Sequence, residues 1–326
     1  MRAVLGACVL LGVLAGSFGA GAAATWDCYV YNPVAKLPSV EAVNRLIEEV
    51  KAKTHGDLVI NMHLGGSLPI KADNITAAVA DSVIQFGDDG FATGTIPITG
   101  VLRLPLLLQT PEEMAKAMEI IRPYLDAAYA KRGIVVLAQY AYPAQVLWGR
   151  KKLTALADIK GLKLRVTSVE QGEFIREFGG VPLTMGSPDV AAALDRGVVD
   201  GALTASSGGG LTWHDLLKYR YGFPTSFVNS TYVVNRDAFE KLPSEQQAML
   251  REAAAEQAAW ATREMLRQED EITAQFGKEG MVVTPASAQD IAEATAKLKP
   301  YWDKWAKAHG PDAVAVLAKI RAVVGR

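Results

Sequence analysis

Short apolar strands alternate with amphipathic helices along most of the chain. WDCYVYN (26–32) has the composition of a strand, and PSVEAVNRLIEEVKAKTHG (38–56) repeats its apolar residues at helical spacing and ends at a glycine. DLVINMHL (57–64) then reads as a second strand. Because few hairpin signals separate the strands, this alternation predicts an α/β fold with mixed, mostly parallel sheets.

A weak internal repeat suggests two similar lobes. AAVADSVIQFG (77–87) and AAALDRGVVDG (191–201) both run from a pair of alanines through a helix-ending Asp to a strand and a glycine. The chain has 326 residues, which is enough for two domains of ordinary size. S-E-Q-Q (244–247) has the form of a capping box and predicts the start of a long alanine-rich helix toward Phe276.

The first two dozen residues have the organisation of a secretory signal peptide. Arg2 supplies the positive start, an apolar run follows, and Ala22-Ala23-Ala24 forms an A-x-A-like cleavage site. We therefore predict cleavage after Ala24 (1–24 removed) and a periplasmic mature protein. Cys8 would leave with this segment, although LGAC (5–8) superficially resembles a lipoprotein box, and Cys28 would remain as a lone, buried thiol.

No catalytic or metal-binding set of residues is recognisable in the sequence. There is no G-x-S-x-G elbow and no H-E-x-x-H, and SSGGG (206–210) lacks the Lys-Ser/Thr of a phosphate loop, so it reads as a flexible turn. Asp88-Asp89 reads as a solvated turn at a strand end. The net charge of -1 argues against a nucleic-acid-binding surface. We expect no enzyme, no cofactor and no metal, which leaves binding of a small solute.

Arg165 is the residue that this pattern explains least. In GLKLRV (161–166), apolar Leu162, Leu164 and Val166 alternate with Lys163 and Arg165, which is typical of a strand. Stripping an unpaired guanidinium of water inside a sheet costs several kcal/mol. Ligands of α/β sheets bind beyond the carboxyl ends of strands, so the missing partner is either a ligand carboxylate or a permanent internal Asp or Glu. The pattern leaves both open.

Four segments, taken together and in order, resemble the substrate-binding proteins of tripartite ATP-independent periplasmic (TRAP) transporters. The likeness covers essentially the whole mature chain. The segments are EVKAKTHGDLVINMHLGGSL (49–68), LRLPLLLQTPEEM (102–114), GIVVLA (133–138) followed by LTALADIKGLKLRV (153–166), and ALDRGVVDG (193–201).

The resemblance implies a two-lobed periplasmic binding protein fold with a ligand in the cleft. Crossing strands and a long helix would join lobe I (25–142 plus about 231–270) to lobe II (143–230 plus about 271–326). It implies that Arg165 pairs with the carboxylate of a small organic acid. The partners would be the small and large membrane subunits of the transporter.

At two positions the sequence differs from relatives in this family, and these differences limit the class of ligand that we expect. Many relatives have Asn four residues after the Asp of Val-Asp-Gly, where this chain has Thr204, and relatives that bind sialic acid have a second arginine where this chain has Gln145. Fewer positive charges suggest a monocarboxylate, and argue against a dicarboxylate or a sugar acid. Further candidate ligand-binding residues are Asn32, which matches a cleft position, and Tyr140, Tyr142, Trp148 and Trp213, which could stack on an aromatic ligand.

Two other functions stay open at this level. A receptor of the same kind could report its ligand to a signalling partner and serve no transport. A secreted enzyme of unknown type is the alternative from a different class, and turnover of a bound ligand would distinguish it.

Overall fold

The computed structural model describes residues 24–326. The predicted signal peptide therefore lies outside the described residues except for Ala24, the predicted cleavage point. Ala24 is the first residue of the first strand, and its amide donates a hydrogen bond to the carbonyl of Asp57 at 2.7 Å. The strand begins two residues earlier than the sequence pattern indicates.

Eleven strands are present in the described residues, and they form two sheets. They are β1 Ala24–Val30, β2 Leu58–His63, β3 Phe86–Asp89, β4 Ile134–Ala141, β5 Gln145–Gly149, β6 Lys163–Val166, β7 Val181–Thr184, β8 Gly201–Thr204, β9 Tyr219–Ser226, β10 Asn229–Asn235 and β11 Val282–Pro285.

The two sheets are both mixed. The first has the order β2-β1-β3-β10-β4, in which β1 is parallel to β2 and β3 while β10 is antiparallel to β3 and β4. The second has the order β11-β9-β5-β8-β6-β7, with β5 antiparallel to both of its neighbours and the remaining pairs parallel. The predicted two-lobed α/β fold is confirmed.

Helices cover the sheets and begin where local signals predict. Thr110 caps one of them by accepting a hydrogen bond from the Glu113 amide at 3.2 Å, and Pro111 occupies the first helical position. The helices are α1 Pro38–Lys53, α2 Ile75–Ala80, α3 Pro111–Ala130, α4 Val169–Glu177, α5 Ser187–Asp195, α6 Leu211–Trp213, α7 Arg236–Glu240, α8 Ser244–Lys278, α9 Ala288–Ala308 and α10 Pro311–Val324.

Four connections join the lobes: two short segments between strands, the helix α8, and a last crossing within α9. The chain passes from the first sheet to the second at 142–144, between β4 and β5, and returns at 227–228, between β9 and β10. The third is α8, whose 35 residues pack first against α1 and β4 and later against the 206–210 turn and β11. Crossing strands and a long helix are the connections that the family resemblance implies.

The boundaries of the two lobes along the chain stay a prediction. The packing of the last two helices, however, differs from the expected assignment of 271–326 to lobe II. Ala294 and Leu298, in α9, pack in a core of the second lobe. Trp302 and Trp305, later in the same helix, pack in the core of the first lobe, as does α10. The chain therefore returns to lobe I within α9.

The reading of Asp88-Asp89 as a solvated turn is wrong. Both residues belong to β3, and their side chains are 0% and 3% exposed. They point to opposite faces of the sheet, and each carboxylate accepts hydrogen bonds from hydroxyl groups. Burial raises the pKa of Asp88 to about 7 and that of Asp89 to about 6. The donors are Tyr140 and Ser230 for Asp88, and Thr76 and Tyr129 for Asp89.

Cys28 lies in the middle of β1, opposite Met62 of β2 and Phe86 of β3. Its side chain is fully buried, as predicted, and burial raises the pKa of the thiol well above its ordinary value. It therefore behaves as a small apolar core residue.

Candidate ligand-binding site

A small cavity lies where strand ends of the two lobes meet. The centre of a water molecule can occupy about 30 Å³ of it. Its position fits the rule that ligands of α/β sheets bind beyond the carboxyl ends of the strands. We call it the inner cavity; it is lined by Tyr31, Asn32, Gly90, Phe91, Tyr142, Gln145, Arg165, Thr167, Ser187, Thr204, Gly208, Gly209, Trp213 and Val228.

Arg165 supplies the positive charge of the inner cavity. It is 2% exposed, and it donates hydrogen bonds from Nε to the carbonyl of Met185 at 3.0 Å and from Nη1 to that of Leu203 at 3.4 Å. Within residues 24–326, no carboxylate forms an ion pair with it. Burial, together with the nearby charge of Arg103, lowers the pKa of Arg165 to about 10, so it stays protonated at neutral pH.

Two aromatic rings flank this guanidinium. Its central carbon lies 5.2 Å from the ring centroid of Trp213 and 5.8 Å from that of Phe91, within the range of cation–π attraction. The Nε1 of Trp213 is buried and has no hydrogen-bond partner in the described part of the chain. These rings hold the guanidinium in place and give the cavity flat apolar walls.

A group of tied polar side chains forms another wall. The Tyr31 hydroxyl donates to that of Tyr142 at 2.7 Å, and Asn32 Nδ2 donates to Tyr142 at 3.0 Å and to Ser39 Oγ at 3.1 Å. Burial raises the pKa of Tyr31 well above its ordinary value, so its hydroxyl stays neutral. This wall offers the cavity fixed hydrogen-bonding groups without charge.

Thr204 and Gln145 lie on neighbouring strands, β8 and β5, and both reach the inner cavity. Thr204 Oγ1 accepts a hydrogen bond from the Gly209 amide at 2.9 Å, and Gln145 Nε2 donates to the carbonyl of Pro143 at 2.9 Å. Both side chains are therefore partly engaged by the protein, and neither brings a second positive charge.

The 206–210 segment is an ordered turn, and the prediction of a flexible one is wrong. Glu269 of α8 accepts hydrogen bonds from the Ser206 and Ser207 amides, both at 2.9 Å, and from Ser207 Oγ at 2.9 Å. Arg220 pairs with the same carboxylate at 3.2 Å. The turn brings Gly208 and Gly209 to the cavity wall.

A second buried arginine lies just outside the inner cavity. Arg103 is 1% exposed and donates to the carbonyls of Gly90 and Asn229 and to Thr167 Oγ1. Burial lowers its pKa, and the nearby Glu170 opposes that shift. Because its hydrogen bonds go to the backbone and to Thr167, Arg103 fixes the cavity wall from behind.

Six of the seven predicted ligand-binding residues line the cavity, and Trp148 does not. Trp148 is fully buried, and its Nε1 donates to the Thr204 carbonyl at 3.0 Å, so it supports the wall as part of the core. Tyr140 also lies outside the wall, bound to Asp88. Tyr31 and Phe91 also line the cavity and were not predicted, although Tyr31 lies within the predicted first strand and Phe91 is two residues after Asp89. The six are Asn32, Tyr142, Gln145, Arg165, Thr204 and Trp213.

Neither a metal site nor a membrane span is found in residues 24–326. No group of three or more His, Cys, Asp or Glu side chains there is arranged to hold a metal ion. None of the helices described is both long and apolar enough to cross a bilayer.

Comparison with known proteins places this architecture in one family. The model of the DctP family, bacterial extracellular solute-binding proteins of family 7, matches residues 30–308. A solute-binding protein of Chromohalobacter salexigens is 24% identical over 284 residues, covering 83% of this chain and 82% of the relative.

Solved structures of similar proteins contain organic acids. An extracytoplasmic solute receptor of Bordetella pertussis that binds pyroglutamic acid has a TM-score of 0.85 and 27% identity, covering 92% of this chain and all of that one. A TRAP periplasmic solute-binding protein of Roseobacter denitrificans with bound β-D-glucuronate has a TM-score of 0.81 and 25% identity, covering 92% and 99%. The chain therefore belongs to the DctP family, the periplasmic solute-binding proteins of TRAP transporters.

Proposed function

We propose that this protein binds a small monocarboxylate in the inner cavity and delivers it to the small and large membrane subunits of a TRAP transporter. The observation that carries the proposal is the buried Arg165 guanidinium, which faces the cavity without a carboxylate partner in the described chain. A ligand carboxylate would supply the missing charge and match the planar fork of the guanidinium.

The chemistry of the cavity supports one carboxylate and a compact, flat body. Arg103 lies behind the wall and not on it, and Gln145 and Thr204 are neutral, so a second carboxylate in the inner cavity would have no second cation beside it. The small volume favours a compact acid over a sugar acid. Two Bordetella pertussis relatives, 27% and 25% identical, bind pyroglutamic acid, a compact cyclic monocarboxylate. Pyroglutamate is thus the first compound to test.

A thermal-shift screen of the mature protein tests the proposal. The panel holds pyroglutamate, aliphatic and aromatic monocarboxylates, dicarboxylates and uronates. A ligand at about 100 times its Kd adds about 2.7 kcal/mol to the free energy of unfolding, which raises Tm measurably. We expect the largest shift with a compact monocarboxylate.

The Arg165→Ala and Arg165→Lys variants test the anchor. Removing one partner of a buried ion pair costs about 2–5 kcal/mol, and lysine cannot present the bidentate fork. Both variants should weaken binding in isothermal titration calorimetry, while Arg196→Ala, at an exposed arginine of the same lobe, should not. Unchanged affinity in both Arg165 variants would contradict the anchoring role, and shifts only with dicarboxylates would contradict the ligand class.

A further inference from the structure

A second, larger cavity adjoins the inner one at the mouth of the cleft. The centre of a water molecule can move through about 300 Å³ of it. It lies between the 66–73 segment of the first lobe and the 184–189 segment of the second. We call it the outer chamber; it is lined by Tyr29, Tyr31, Gly66, Ile70, Lys71, Ala72, Asp73, Phe91, Thr184, Met185, Gly186, Pro188 and Asp189.

Tyr31 and Phe91 line both spaces and thus form the partition between them. Their rings meet edge to face, with centroids 5.3 Å apart. Tyr31 is tied by its hydroxyl to Tyr142, whereas Phe91, which is 7% exposed, is held only by packing. Phe91 is therefore the part of the partition that can be shortened without breaking a hydrogen bond.

Arg165 lies at this partition. Its Nε binds the carbonyl of Met185, a residue of the outer chamber, and its guanidinium lies 5.8 Å from the Phe91 ring centroid. A carboxylate held by Arg165 would therefore place the ligand body close to the Phe91 ring. The space beyond that ring is the outer chamber.

We propose that Phe91 sets the upper length of the ligand, and that the outer chamber is a latent subsite for the distal part of longer monocarboxylates. The inference rests on the proposed function. The outer chamber offers apolar surface from Tyr29, Ile70 and Pro188, and its charged residues are two acids and one lysine. This chemistry fits a neutral tail, such as the acyl chain of an N-acylated amino acid, and disfavours a second anion.

Calorimetry with acids of graded length tests the inference. The probes are pyroglutamate and N-acetyl-, N-butanoyl- and N-hexanoylglycine. In the wild type, affinity should fall with the longer members. In Phe91→Ala, the longest member should bind at least about tenfold more tightly than it binds the wild type, while pyroglutamate should bind more weakly because its wall is gone. Phe178→Ala, at a partly buried aromatic of the second lobe outside both spaces, should leave the length profile unchanged.

Filling the outer chamber provides the second test. Adding Ile70→Trp to Phe91→Ala should remove the gain for the longer acids and spare pyroglutamate, because the tail would lose its space. Circular dichroism and urea unfolding confirm that each variant folds. If Phe91→Ala binds pyroglutamate yet gains nothing for the longer acids, or if Ile70→Trp leaves the gain intact, the inference is wrong and the proposed function stands. If the wild type binds no carboxylate, both are wrong.

Discussion

Replacing Asp88 by asparagine should change how the stability of the ligand-free protein depends on pH. Asp88 is fully buried, and folding raises its pKa from 3.8 to about 7, with burial as the main cause. Asparagine has nearly the same shape, keeps an acceptor oxygen for the Tyr140 or Ser230 hydroxyl and cannot ionise. The variant therefore removes the titration and keeps most of the packing.

The sign follows from proton linkage. At a pH between 3.8, the pKa of Asp88 in the unfolded chain, and about 7, its pKa in the folded protein, the folded state binds more protons at Asp88 than the unfolded chain does. The stability that this residue contributes is therefore present at low pH and is lost as pH rises toward about 7. Between pH 5 and pH 8 the loss covers about two pKa units, which corresponds to about 3 kcal/mol.

The neighbours of Asp88 do not obscure this effect. Burial raises the pKa values of Cys28, Tyr140, Tyr142 and Tyr232, so these groups stay neutral from pH 5 to pH 8. The remaining neighbour, Asp89, is present in both proteins, and its charge helps to raise the pKa of Asp88, so this coupling is part of the titration that Asp88→Asn removes.

Urea unfolding of the wild type and Asp88→Asn at pH 5 and pH 8 measures the effect. The difference in unfolding free energy, variant minus wild type, should become more positive by about 3 kcal/mol between the two pH values. A difference that is unchanged or more negative at pH 8 would refute the assignment of a buried, nearly neutral carboxyl group at this position.

Two further predictions concern the turn and the mouth of the cleft. Glu269→Ala leaves two backbone amides and an arginine without their acceptor, and should lower the unfolding free energy in urea by about 2–4 kcal/mol. Glu271→Ala, on the exposed face of the same helix, should have little effect, and equal losses would contradict the account. A Cβ at Gly186 would lie 3.2 Å from Ala72 Cβ across the cleft, so Gly186→Leu should hinder closure and weaken ligand binding about 5- to 150-fold. Gly94→Leu is the control in the calorimetry, because a Cβ at Gly94 meets nothing within 4 Å. Equal ligand affinities of the two variants would contradict the inference that binding requires Gly186 and Ala72 to lie this close.

Features with local causes were predictable from the sequence. Thr110 and Pro111 mark the start of α3 because a cap and a fixed φ act within one helical turn. The strand that holds Arg165 was recognisable because alternation is a property of neighbouring residues. Whether Arg165 pairs with an internal carboxylate or with a ligand could not be predicted, because it depends on which carboxylates from distant parts of the chain come close to the guanidinium.

The errors arose where residues far apart in the chain meet. Asp88 looks like part of a turn because it lies in Gly-Asp-Asp-Gly (87–90), but its hydroxyl donors come from β4 and β10, 52 and 142 residues away. Trp148 is close to Gln145 in the sequence, but its ring packs in the core, where its Nε1 donates to the carbonyl of Thr204, 56 residues away. No residue pattern within α9 indicates that its second half packs against the first lobe.

The single cysteine of the described chain makes the first sheet accessible to a simple chemical measurement. Cys28 is completely buried between β2 and β3, and burial disfavours its thiolate, so a thiol reagent can modify it only after β1 has separated from its neighbours. The modification rate in native buffer therefore reports how often that part of the molecule opens. Comparing rates with and without ligand would show whether occupation of the cleft restrains a strand whose centre lies outside it, without any engineered label.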